Sequence, residues 1–126
     1  MDYIATEGAP KAIGPYSQAV AASGFLFASG QIPLDPATGE LISGGIEAAA
    51  ERIFDNLEAV LRRSGLTFSD VVKTTVYLVR ADDFSAMNAV YARRFGDHRP
   101  ARSTVTVAAL PKGAALEIDL IARLRT

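Results

Sequence analysis

The stretch Arg102–Ala122, RSTVTVAALPKGAALEIDLIA, decides how the chain is read. It reads as two β-strands, Ser103–Ala108 and Leu116–Ala122, each with period-two alternation. Pro111-Lys112-Gly113 between them is turn chemistry, because proline fixes φ and glycine accepts φ > 0. Paired as a hairpin, Val105 and Val107 take the face of Leu116, Ile118 and Leu120. Arg102, Thr104 and Thr106 then share the opposite face with Glu117, Asp119 and Ile121. A one-residue slip would mix the two sets, so this register is the expected one. The polar face has two readings. It is a solvated face, common in antiparallel sheets, or it is the wall of a pocket. In a pocket, a guanidinium holds a carboxylate bidentately, and a nearby carboxylate takes a proton or orients a water.

The totals narrow the choice. The chain has 126 residues, suited to one domain over residues 1–126, and 49% of them are apolar. Lys and Arg number 13 against 14 Asp and Glu, so the positive field expected of a nucleic-acid binder is missing. No apolar run approaches the ~20 residues that span a bilayer. The start, MDYIATEGAP, lacks a basic segment followed by an apolar one, which argues against a secretory signal. There is no cysteine, which excludes disulfides and thiolate chemistry and points to the cytoplasm. With one histidine, His98, multi-histidine metal sites are poor candidates. His98 reads as a loop residue without a partner.

Outward from the C-terminal stretch, the same signals recur. Tyr16–Ala22 and Phe25–Ser29 read as strands around a Ser23-Gly24 turn, and Asp35–Gly39 is a second turn. Residues 4–13 read as irregular, broken by Gly8 and Pro10. Ile46, Ala50, Ile53, Leu57, Val60 and Leu61 make one helical stripe, stopped near Gly65. Val71–Val79 is a β-branched strand, with Val72, Thr74, Val76 and Leu78 on one face and Val71, Tyr77 and Val79 on the other. A second helix is expected from about Asp82, a capping residue, with Phe84, Met87, Tyr91 and Phe95 as its stripe and Asn88 at the stripe's edge.

Two helices with single stripes cover one face of a sheet. The other face still carries Tyr77, Val79 and Ile121, so identical subunits are expected to pack these faces together. A desolvated Arg102 or Glu117 then needs a partner, and a small anion would satisfy Arg102.

Ordered along nearly the whole chain are the blocks IGPYSQA from Ile13, SGQIP from Ser29, VKTTVY from Val72, NAVY from Asn88, PARST from Pro100 and LEI from Leu116. Together they resemble the RidA/YjgF reactive-intermediate deaminases, also called the L-PSP endoribonuclease-like family. The resemblance implies a chorismate-mutase-like α+β fold, a mostly antiparallel sheet with two helices on one face. It implies a homotrimer, the other sheet face inward and sites in the clefts between subunits. It implies hydrolysis of 2-imino acids, formed from 2-aminoacrylate or 2-aminocrotonate, to 2-oxo acids and ammonia, with no cofactor and no metal. By matching motif, Arg102 would bind the substrate carboxylate and Glu117 would hold or activate water. Ser29 and Gly30 would fix the substrate, Tyr16 and Asn88 would line the cleft, and Thr104 stands where many members have cysteine.

In the hairpin register Arg102 lies across from Ile121, so at ~3.3 Å per residue the Cβ atoms of Arg102 and Glu117 are about 13 Å apart. Two long side chains leaning together could clamp a small acid, and one side chain from each of two subunits could do the same. Taken singly, Arg102 could instead be a rim ion pair with Asp119, and Glu117 a solvated strand residue. Two other functions fit parts of the pattern. A non-catalytic 2-oxo-acid sensor would need Arg102 but not Glu117. An endoribonuclease would need the basic, aromatic surface that the composition lacks. Arg62-Arg63 and Arg93-Arg94 end helices, where cations suit the dipole.

Overall fold

Ser23 and Gly24 both take positive φ, 52° and 84°, and close a two-residue hairpin. Such turns match the right-handed twist of the strands they join. In the computed structural model, which describes residues 1–125, those strands are β2 (Ala19–Ala22) and β3 (Phe25–Gln31). With β1 (Asp2–Ile4), β4 (Val71–Leu78), β5 (Ala101–Thr106) and β6 (Leu116–Arg123) they form one sheet, ordered β1-β2-β3-β6-β4-β5. Every neighbouring pair is antiparallel except β4 and β5, which are parallel. β1, read in part as irregular chain, adds to the edge beside β2.

The C-terminal stretch corrects the expected hairpin. β5 and β6 are not neighbours, because β4 lies between them. Alternation along a strand fixes which side chains share a face, but not which strand lies alongside. The alternation of β6 holds: Leu116, Ile118, Leu120 and Ala122 are buried. The faces of β5 are the reverse of those expected. Arg102, Thr104 and Thr106 pair with Thr74, Val76 and Leu78, on the helix side. Val105 pairs with Tyr77, itself opposite Glu117, on the open side. All six residues of β5 are exposed, as befits an edge strand with one neighbour. Pro111–Gly113 is a 3-10 turn rather than a hairpin loop.

The helices fall where the stripes put them. α1 (Gly45–Arg63) stops before Gly65, whose φ of 72° ends the turn. α2 (Phe84–Phe95) begins after a 3-10 turn at 81–83, so Asp82 does not cap it as expected. Phe54 of α1 is fully buried and meets the rings of Phe68, Tyr91 and Phe95 edge-on, each 5.8 Å away. The Thr74 hydroxyl, also fully buried, shares a 2.8 Å hydrogen bond with the Tyr91 hydroxyl. Polar burial is thus matched by a partner inside the layer between helix and sheet. A register shift between Val71 and Lys73 corrects the faces at the start of β4: Val71 is buried and Val72 is exposed. Opposite the helices, the sheet face stays open in the single chain. Tyr3, Phe25 and Phe27 are exposed at one end of it, and Tyr77, Glu117 and Asp119 stand at the other.

Candidate active site

The site is built on an irregularity in β3. Ala28 pairs with Leu120 and Gln31 with Ile118, so Ser29 and Gly30 together stand opposite Asp119 alone. An extra residue in one strand bends it and re-aims its neighbours. The Ser29 amide donates to Gln18 O at 2.9 Å and its hydroxyl donates to Ser17 O at 2.6 Å. Ser29 therefore ties the strap before β2 to the bulge. Gly30 lies directly under Glu117. A Cβ on Gly30 would stand 2.7 Å from Glu117 Cδ, and closer still to Oε2. Only a residue without a side chain leaves this carboxyl where it is.

Tyr16, Ser29, Gly30 and Glu117 line one cleft of about 930 Å³, with Lys11 and Lys112 at its margins. Burial pushes the Glu117 carboxyl above the ordinary glutamate pKa, and the charge of Asp119 adds to the rise. A carboxyl so placed is a stronger base than an ordinary glutamate and can take a proton from water and return it.

The strap that walls this cleft depends on a residue outside the expected set. Gln18 is almost fully buried. Its Oε1 accepts from the Thr6 amide at 2.7 Å, and its Nε2 donates to Thr6 O at 3.0 Å and Pro10 O at 2.8 Å. A buried amide that fills its valences this way fixes the path of residues 6–10. An amide beside Tyr16 and Ser17, in a loop of glycines and prolines, is the sequence signal for it.

The remaining expected residues gather elsewhere. Arg102 donates to Asn88 Oδ1 at 2.7 Å, and its guanidinium carbon lies 4.6 Å from the Tyr91 ring centre and 5.5 Å from that of Phe84. Thr104 is two residues further along the same exposed face of β5. The structure thus brings together Tyr16, Ser29, Gly30 and Glu117, and separately Arg102, Asn88 and Thr104. The two groups lie on opposite faces of the sheet, so a single chain does not bring Arg102 and Glu117 into a common clamp. The rim pair of Arg102 with Asp119 is also excluded, because Asp119 faces the open side and accepts from the Tyr77 hydroxyl at 2.9 Å.

Three other positions settle alongside. His98 has a partner after all, donating from Nε2 to Val71 O at 2.6 Å. Arg93 and Arg94 pair with Glu51, and Arg94 also with Asp55 at 2.9 Å, so these helix-ending arginines bind α2 to α1. Among the described residues no cluster of three or more His, Asp or Glu could hold a metal ion, and no helix is long and apolar enough to cross a membrane.

Residues 6–124 match the family model described as endoribonuclease L-PSP. The chain belongs to this family. Among family relatives, the human 2-iminobutanoate/2-iminopropanoate deaminase is 45% identical over 119 residues, covering 94% of this chain and 87% of its own length. The solved structure of YyfA from Yersinia pestis, a protein of unknown function of the conserved Rid family, superposes with a TM-score of 0.95. It is 47% identical and covers 98% of each chain. E. coli TdcF, solved with bound serine, is 40% identical with a TM-score of 0.93 over 100% of both chains. The L-PSP fold, a mixed sheet with two helices on one face, is therefore the fold of this chain.

Proposed function

We propose that this chain hydrolyses small 2-imino acids, such as 2-iminopropanoate and 2-iminobutanoate, to 2-oxo acids and ammonia. The observation that carries the reading is the Glu117 carboxyl, half-buried over Gly30 in a cleft and raised in pKa by burial and the charge of Asp119. The relative named a deaminase, nearly half identical over 94% of the chain, supports the same chemistry.

The steps need no cofactor. The substrate is a carboxylate with a protonated imine on the next carbon. Arg102 receives the carboxylate through a planar fork that lysine cannot supply. Ser29 and Gly30 hold the substrate in the cleft, which Tyr16 and Asn88 line. Glu117 takes a proton from water as its oxygen bonds to the imine carbon, giving a carbinolamine. Glu117 returns that proton to nitrogen. The C–N bond breaks and the remaining hydroxyl loses its proton to Glu117 as the carbonyl forms; Glu117 passes that proton to the departing ammonia, which leaves as ammonium and restores the carboxylate.

Because Arg102 and Glu117 occupy opposite faces of one sheet, the reading requires two copies per site. A head-to-tail ring, here a homotrimer, brings Arg102 of one copy to the cleft of the next and closes without a free end. The fully exposed edge strand β5 and the open sheet face are the surfaces it would bury. The reading places the protein in the cytoplasm, with no nucleic-acid or membrane partner.

Ammonia release from imines generated in situ by a threonine or serine dehydratase tests the proposal. Arg102→Ala, Glu117→Ala and Glu117→Gln are each expected to lose at least about 100-fold in rate while remaining folded and assembled. Full activity in Arg102→Ala would overturn the carboxylate clamp. Wild-type binding of 2-oxo acids without turnover of imines would favour a sensor.

A further inference from the structure

Tyr77 and Glu117 are directly opposed across the β4–β6 ladder, on the open face of the sheet. The Tyr77 hydroxyl does not serve Glu117. It crosses the diagonal and donates to Asp119 Oδ2 at 2.9 Å. Asp119 is two residues along β6 and on the same face as Glu117. A phenol donating to a carboxylate fixes its rotamer. We propose that Tyr77 and Asp119 are positioning residues for the deaminase reaction: the phenol clamps the Asp119 carboxylate in one rotamer on the open face beside Glu117, so that its charge acts on the proton carrier from a fixed place. This inference rests on the reading of Glu117 as the proton carrier.

The surroundings fit a one-way device. Facing Glu117 are Tyr77 from β4, Asp119 from its own strand, Lys11, Tyr16 and Lys112 around the cleft, and, in the proposed ring, Arg102 of the next copy, which is common to wild type and every variant compared. Lys112 is engaged by Gly39 O at 3.1 Å. The Tyr77 hydroxyl is pushed up in pKa, first by its bond to Asp119 and then by burial, so it stays a donor throughout the neutral range. Thr75 stands opposite Asp119 on the same face and carries no charge. Of the two carboxylates, only Asp119 accepts a hydrogen bond from a side chain among the described residues, while burial and the charge of Asp119 push the Glu117 carboxyl up. That asymmetry is what a group needs if it must take a proton from water and surrender it to nitrogen in one turnover.

Carbon-13 NMR of side-chain carboxyls, followed with pH in the assembled protein, reads Glu117 without reference to activity. Asp119→Asn keeps an acceptor for Tyr77 but removes the charge. The Glu117 midpoint is expected to fall, and the acid limb of the rate profile to move to lower pH with it. At neutral pH kcat should drop roughly three- to tenfold. Asp119→Glu is expected to restore both. Tyr77→Phe frees the Asp119 carboxylate from its fixed rotamer, so the Glu117 midpoint should fall part of the way. An unchanged Glu117 midpoint in Asp119→Asn would overturn the inference, even in an active enzyme. A lowered midpoint in a protein that releases no ammonia would leave the electrostatic coupling standing and refute the deaminase reading instead.

Discussion

Gly30 and Glu117 share a space that admits one of their two side chains. The ideal Cβ of Gly30 lies 2.7 Å from Glu117 Cδ and 3.0 Å from its Cγ. The constraint is steric and not conformational, because the backbone of Gly30 is outside the positive-φ region. Gly30→Ala is therefore expected to fold, since the colliding group is the end of a flexible side chain that can swing away. Its stability should change by less than ~1 kcal/mol. Its deaminase rate should fall at least about 100-fold, because the carboxyl leaves its place. Comparing kcat with thermal melting of the same preparation separates the two effects.

Arg102 is aimed by contacts and not by burial. Asn88 Oδ1 at 2.7 Å fixes one nitrogen, and Tyr91 lies under the guanidinium plane. Asn88→Ala should raise KM for imino acids about three- to tenfold, the value of one hydrogen bond to a charged group. Its melting temperature should move by no more than ~2 °C, because the pair is exposed. Arg102→Lys should raise KM about tenfold or more, since an ammonium cannot bond two carboxylate oxygens in a plane.

How much of this was readable in the residues depended on range. The α1 stripe and the Ser23-Gly24 turn are local, and both stood where the pattern put them. The pairing of β5 is not legible in its residues, because its neighbour, β4, is 23 residues upstream at its nearest end and alternation carries no information about neighbours. With the pairing goes the face of Arg102, whereas which chain supplies each group is a question the residues leave open. The same range hid the His98 bond to Val71 O, 27 residues away. The motif residues were legible one by one, but not their division into two groups, because a fold decides that division and a motif does not.

The helix–sheet layer should be most sensitive at Phe54. Its ring is fully buried and meets three aromatic rings edge-on. Phe54→Ala removes these contacts and leaves a void, for a cost of about 3–5 kcal/mol. Against a typical total of 5–15 kcal/mol that is severe. Phe84→Ala, at the exposed start of α2, should cost less than ~1 kcal/mol and act instead on Arg102 through the lost ring contact. Denaturant unfolding of both variants checks the contrast.

Glu117 should cost stability at neutral pH. Its pKa is raised in the folded chain by burial and by Asp119. The folded state thus holds its proton where the unfolded state has released it. By linkage, this group's contribution falls as pH rises from the ordinary carboxylate range through the raised value. Glu117→Gln lacks that titration. Its melting temperature should match wild type at about pH 4 and exceed it at about pH 7.5, while its activity is lost. A difference that shrinks toward neutral pH would contradict the raised pKa.

Arg102 and Glu117 lie on opposite faces of one sheet, so a shared site must join two copies. Arg102→Ala subunits keep Glu117, and Glu117→Ala subunits keep Arg102. Either variant alone has no complete site. In a ring assembled at random from equal amounts of both, a site is complete when its cleft comes from the first kind and its neighbour from the second. That occurs in about one site in four. Refolding the two inactive variants together should thus restore roughly a quarter of the wild-type ammonia release, whereas mixing them after assembly should restore none until subunits exchange. Were both groups drawn from one chain, every site would lack one of them, and co-refolding would yield no more than the sum of the parents.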